Sequence, residues 1–134
     1  MARVLISTID LPLLVPPGRK AMSGRHLLEG QEFGLESLTL TLGESPPGQF
    51  TRLHQHDAEE LIIVHDGRGI YTVGETTVEA GPGDVILIPS GVPHRWVNNG
   101  AVPLVHTGVF STGRFAMGVV DDPIDPSQDS TAGD

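Results

Sequence analysis

Along most of the chain, apolar and polar residues alternate in short runs, and glycine or proline interrupts each run before a helical period can establish itself. The alternation predicts strands at Ser37–Leu42, Phe50–His56, Glu60–His65, Gly69–Val73, Thr76–Glu79, Val85–Ile88, His94–Asn98 and Leu104–Ser111. Turn chemistry separates them: Ser45-Pro46-Pro47-Gly48, Asp66-Gly67, Val73-Gly74, Gly81-Pro82-Gly83 and Asn99-Gly100. Short strands without a long helix predict an all-β sandwich or barrel, and the even spacing of the turns favours jelly-roll closure.

The two ends depart from this pattern. Leu11-Pro12-Leu13-Leu14-Val15-Pro16-Pro17-Gly18 is apolar but broken by proline, which fits an edge strand, a packed extended tail or an arm laid on a partner subunit. Residues 121–134 are poor in large apolar groups and are expected to be disordered. One domain over residues 1–120 is expected, with an N-terminal arm over 1–30, a barrel core over about 34–116 and an acidic tail over 121–134.

Charge changes the picture once it is divided along the chain. Of the formal net charge of −9, five aspartates sit in 121–134 with no basic residue, which leaves −4 on the body. Eight dispersed Lys and Arg residues form no basic stripe, which argues against nucleic acid and against anionic membranes as partners. With no long apolar run and no secretory pattern at Met1–Asp10, a soluble, cytoplasmic protein is expected. The absence of cysteine excludes disulfides, thiolate metal sites and cysteine nucleophiles, so any metal must be held by nitrogen and oxygen.

Strand parity supplies candidates. In Phe50–His56, the residues Phe50, Arg52, His54 and His56 share a face, so two imidazoles stand side by side. Glu60 opens the next strand after a short turn, and His94 can join them only if the barrel closes. Three imidazole nitrogens and one carboxylate oxygen suit iron, manganese, nickel, cobalt, copper or zinc as a divalent ion, with positions left for water, substrate or dioxygen. Glu59 competes with Glu60 as the carboxylate.

The spacing around these residues resembles a known family. Gly48, His54, His56, Glu60 and Gly67 read G(X)5HXH(X)3E(X)6G, and Gly83, Pro89, Gly91, His94 and Asn98 read G(X)5PXG(X)2H(X)3N. These are similar to the two motifs of the cupin superfamily, both complete and separated by 15 residues, Arg68–Pro82, as in small bacterial single-domain cupins. The resemblance implies a double-stranded β-helix, one divalent metal with iron or manganese foremost, and ligation by His54, His56, Glu60 and His94 rather than Glu59. It also implies a homodimer with sheets packed face to face and leaves room for exchange of the N-terminal arm.

Around that site, Arg52 is expected to project into the barrel mouth and grip a substrate carboxylate, or else to pair with a nearby acid. Phe50, Ile62, Val64 and Trp96 are expected to form its apolar wall. His106 is the candidate for proton transfer, with Tyr71 and His26 as further cavity residues. His65 is expected outside the cavity, and Asn98 to anchor backbone. Because this barrel hosts many chemistries, three functions remain open. The first is an iron- or manganese-dependent dioxygenase acting on a small anionic organic molecule. The second is a redox-neutral isomerase, lyase or cyclase using the same metal as Lewis acid. The third is a non-catalytic small-ligand binder.

Overall fold

Strands form wherever apolar and β-branched residues lie between turn signals. The computed structural model describes residues 4–14, 25–116 and 118–119. Among them are β1 Leu13–Leu14, β2 Arg25–Leu28, β3 Thr39–Ser45, β4 His54–Gln55, β5 Glu60–Asp66, β6 Gly69–Val73, β7 Thr76–Ala80, β8 Val85–Ile88, β9 His94–Val97, β10 Leu104–Phe110 and β11 Gly118–Val119, with 3-10 turns at Thr8–Asp10 and Gly30–Phe33. Two antiparallel sheets result, one in the order β1-β2-β3-β10-β5-β8 and the other β11-β4-β9-β6-β7. From β3 to β10 the chain changes sheet at every connection except the β6–β7 hairpin, which is the winding of a double-stranded β-helix. No helix among the described residues is long and apolar enough to cross a membrane.

Alternation decides what faces inward. On β5, Glu60, Ile62 and Val64 are buried while Leu61 and His65 are exposed. Ile62 and Val64 pack with Tyr71, Ile86, Ile88, Trp96 and Leu104 into one apolar cluster between the sheets. Outside, the six-stranded sheet keeps a second apolar face. Leu61 lies beside Leu87 and Val109, and Ile63 beside Val85. Of these, Leu87 is 68% exposed and Val85 48%.

Two motif residues explain the turns that close the barrel. Gly67 has φ +77°, and a Cβ there would lie 2.3 Å from the Pro103 carbonyl oxygen, so only glycine fits. Asn98 is fully buried, and its side-chain amide donates to the carbonyls of Ser45 at 2.8 Å and Val102 at 2.9 Å while its oxygen accepts from the Gly100 N–H at 2.9 Å. It anchors backbone, as the sequence suggests.

Several expectations shift. The strand expected at Ser37–Leu42 runs instead from Thr39 to Ser45. The one expected over Phe50–His56 is reduced to a bridge from Phe50 to Val97 and the short β4, in which His54 faces His94. From Phe50 to His54 the chain takes four steps where its partner from Val97 to His94 takes three, so one residue bulges out and the parity inferred across this segment breaks. The N-terminal segment joins its own chain's sheet: β1 pairs with β2, and β2 with β3. The acidic tail at 121–134 lies outside the described residues.

Replacing Asn98 by Ala leaves several buried backbone groups without partners and is expected to cost about 3 kcal/mol. Urea unfolding measures this, and a loss below about 1 kcal/mol contradicts the anchoring role.

Candidate metal centre

The sheets bring the motif residues to one place. His54 and His94 face each other across β4 and β9, whereas Glu60 starts β5 between Phe110 of β10 and Ile88 of β8. His54, His56, Glu60 and His94 are all buried, at 2–7% exposure. One donor atom each from His56, Glu60 and His94 lies within 4.8 Å of the others. His54 stands beside this trio, its ring centroid 4.2 Å from that of His94. Glu59, the competing carboxylate, is exposed, and its backbone N–H donates to the Ser111 hydroxyl at 2.9 Å.

The backbone sets the tautomer of every ring. Nδ1 of His54 donates to the Arg52 carbonyl at 2.7 Å, that of His56 to Ala58 at 2.8 Å, and that of His94 to Val92 at 2.8 Å. A carbonyl oxygen can only accept, so each Nδ1 carries the proton and each Nε2 of a neutral ring offers a bare lone pair. Nε2 of His56 lies 3.0 Å from a Glu60 oxygen and Nε2 of His94 lies 3.4 Å from the same atom. Buried His94 Nε2 has no hydrogen-bond partner among the described residues.

Lone pairs directed at a carboxylate repel it unless a cation intervenes. Three imidazole nitrogens, one of them the unpartnered Nε2 of His94, and an anionic oxygen therefore fit a divalent metal. Without one, a proton is the substitute. Burial lowers the His56 value, but the bond to Glu60, the Ala58 carbonyl and the Glu60 charge together outweigh it and raise it. Burial likewise favours the neutral Glu60 acid, yet the His56 and His94 rings hold its carboxyl down at about 2. His54 is brought down to about 4 by burial and by neighbouring His94.

Glu60 lies over a residue without a side chain. An ideal Cβ at Gly108 of β10 would fall 2.7 Å from Thr41 Oγ1 and 2.8 Å from Glu60 Oε2. Gly108 thus gives the carboxylate room to lie across the sheet toward the imidazoles.

Other candidates separate into two groups. Phe50, Ile62 and Trp96 are buried around the barrel interior, at 6%, 3% and 6% exposure. Tyr71 and His106 are also buried and bond to each other, Tyr71 Oη to His106 Nδ1 at 2.9 Å. Burial, with Arg25 nearby, lowers His106 to about 4, and burial keeps the Tyr71 hydroxyl protonated. Arg52, expected in the barrel mouth or paired with a nearby acid, is exposed and lies in the segment where one residue bulges out. His65 is exposed and bonds Thr107 Oγ1 at 2.6 Å. His26 approaches the Leu11 carbonyl at 3.4 Å and takes no place beside the imidazoles.

The guanidinium found near the site belongs to Arg25, which sequence reasoning missed. Its charge acts on His54 and His106 and is itself acted on by Glu60. The only signal was the alternation of Arg25 and Leu27 in a four-residue strand, too short to read.

The fold is a double-stranded β-helix in which His56, Glu60 and His94, with His54 beside them, could hold a metal ion. Residues 41–110 match the cupin domain model, and the chain belongs to that family. It is 42% identical over 60 residues to an uncharacterized protein of Methanocaldococcus jannaschii, covering 44% of this chain and 48% of that protein. It is 36% identical over 67 residues to the dimethylsulfoniopropionate lyase DddQ of Ruegeria pomeroyi, covering 49% of this chain and 33% of the lyase. Among solved structures, the polyketide cyclase RemF from Streptomyces resistomycificus aligns with a TM-score of 0.73 and 27% identity over 98% of this chain and 93% of the cyclase. The oxalate decarboxylase of Bacillus subtilis aligns at 0.77 and 20% identity over 86% of this chain and 31% of that enzyme, a likeness of fold.

Gly108→Ala is expected to displace the Glu60 carboxylate and weaken metal binding roughly 10- to 100-fold, as measured by competition with a chelator. An unchanged affinity contradicts the positioning role. The lowered His106 value also sets a pH dependence. Between its ordinary 6.5 and its folded value of about 4 the unfolded chain binds more protons at this ring, so stability falls as pH drops through that window. His106→Gln is expected to flatten the fall in urea midpoints. An unaltered slope sinks this attribution.

Proposed function

We propose that this protein is a metal-dependent cupin enzyme that carries out a redox-neutral reaction on a small anionic organic molecule: isomerisation, elimination or ring closure. His54, His56, Glu60 and His94 hold the metal in this reading, with iron or manganese foremost. The observation that carries it is the buried Tyr71–His106 pair, a neutral proton-transfer unit inside the same barrel as the His/Glu cluster. The likeness to the polyketide cyclase RemF, which extends over nearly the whole of both chains, supports it. Manganese is supported by a solved oxalate decarboxylase described by its Mn(II) centres.

A divalent metal bound by the four ligands supplies Lewis acidity to a substrate carbonyl or hydroxyl. The remaining work falls to side chains. With Nδ1–H donating to Tyr71 Oη, His106 presents Nε2 as an acceptor. With the Tyr71 hydroxyl donating to Nδ1, the same Nε2 becomes a donor. Taking a proton at Nε2 while Nδ1–H still donates to Tyr71 Oη makes the ring an imidazolium, whose Nε2–H then returns the proton to the substrate. Its value of about 4 keeps it unprotonated across the neutral range, a weak base suited to a proton already made acidic. Phe50, Ile62 and Trp96 exclude water from the transfer.

A dioxygenase would use the same four ligands, and oxygen separates the two. Small keto and hydroxy acids are the substrates to screen, by product formation in air and under nitrogen. Equal rates are expected, with kcat at least about 100-fold lower in His106→Gln. Stoichiometric oxygen uptake overturns the redox-neutral reading, and tight binding without product favours a binder.

The same proposal includes a cytoplasmic homodimer joined through the exposed apolar face of the six-stranded sheet, where Leu61, Val85 and Leu87 have no cover among the described residues. Light scattering is expected to give twice 14.2 kDa. Leu61→Glu with Leu87→Glu is expected to return the monomer, and a monomeric unmodified chain rules this interface out.

A further inference from the structure

We propose that Thr41 is a positioning residue of the metal centre: its hydroxyl donates to one oxygen of Glu60, Oε2, so that the other, Oε1, stays turned toward His56 and His94, where the metal binds. The proposal rests on the reading above only in that Glu60 is a metal ligand.

β3 inverts the usual polarity of a strand that flanks an apolar core. Thr39 and Thr41 point into the barrel at 1% and 2% exposure, whereas Leu40 and Leu42 alternate with them and are only half-buried. A hydroxyl in the interior is costly unless it has a polar partner to serve. Thr39 serves one, since its Oγ1 accepts from the Gly30 N–H at 3.1 Å.

Strand register shows what Thr41 faces. It stands opposite Gly108 of β10, and Gly108 in turn stands opposite Ile62 of β5. Gly108 contributes no side chain, so nothing on β10 separates Thr41 from the carboxylate that leans over that strand. Thr41 Oγ1 and Glu60 Oε2 border the same spot, 2.7 and 2.8 Å from where a Cβ of residue 108 would stand. Oε1 is the oxygen that lies 3.0 Å from Nε2 of His56 and 3.4 Å from Nε2 of His94. The two oxygens of Glu60 therefore have different surroundings, ring nitrogens for Oε1 and a hydroxyl for Oε2.

The other inward neighbours cannot take this role. Ile62 on the same strand, Ile88 on β8 and Phe110 on β10 carry no side-chain donor. Thr39 is opposite Phe110 in register, and Phe110 stands between it and Glu60. A ligating carboxylate is oriented by a hydrogen bond to its second oxygen, and without that bond it is free to turn and offer both oxygens or neither. Gly108 thus supplies the room and Thr41 the tether.

The test loads the full chain with zinc and with cobalt(II). It compares Thr41→Val, which keeps the shape and removes the hydroxyl, with Thr41→Ser, which keeps the hydroxyl. Thr41→Val is expected to weaken zinc roughly 10- to 100-fold in competition with a chelator. It is also expected to change the position and intensity of the cobalt d–d absorption, which report ligand number and geometry. Thr41→Ser is expected to keep the unmodified spectrum, with zinc affinity within about threefold of the unmodified chain. Should Thr41→Val fail to fold, Thr41→Ala carries the same expectation. An unchanged cobalt spectrum in the variant without the hydroxyl overturns the proposal whatever the affinity. So does an equal loss in Thr41→Ser, which would assign the effect to packing of the methyl group. An unmodified chain that takes up neither metal overturns the metal centre itself, so the two readings fail by different results.

Discussion

A buried carboxylate facing imidazole nitrogens that carry no proton requires a cation, and much of the barrel serves to create that requirement. Three backbone carbonyls, those of Arg52, Ala58 and Val92, take the Nδ1 protons and so turn the Nε2 lone pairs inward. Gly108 clears the floor beneath Glu60, which can then lie flat over the sheet. The cross-strand contact of His54 and His94 joins β4 to β9. Each device is local, but together they place the donors where mutual repulsion is relieved only by a positive charge.

β10 links this centre to the rest of the interior. Flanked by β3 and β5, it presents Phe110 beside Glu60 at one end and His106 beside Gly43 and Val64 at the other. Gly108, between them, is the position where a side chain would collide with Glu60. One strand thus carries an aromatic wall, a gap and a titratable ring in alternate inward positions. The alternation that buries the apolar core also sets out the polar interior.

The motif spacing made the centre legible, since it fixes residues whose backbone turns are as constrained as their side chains. Gly67 and Asn98 are turn devices, and finding them with the histidines is what distinguishes a barrel site from a chance His-X-His pair. Eight strands were readable because turn chemistry bounded them. Arg25 went unread, and the parity by which Arg52 was placed fails, for a related reason: parity holds only through regular pairing. The bulge between Phe50 and His54 inserts one residue, and β2 is too short to show a period. No count of alternating residues reveals a bulge, because it arises from how two strands meet.

The motif residues and the chemistry occupy different parts of the sequence for a physical reason. Neutral imidazoles with one carboxylate are intermediate in hardness and bind several divalent ions, so they specify a Lewis acid with open positions and little more. What an open position does depends on which protons can move nearby and which charges a guest must bring. Tyr71, His106 and Arg25, polar groups of the interior beside the ligands, belong to neither motif. Burial and, after it, the Arg25 guanidinium keep the His106 ring unprotonated. Arg25 thus acts on a ring of another strand, although it lies before both motifs in the chain.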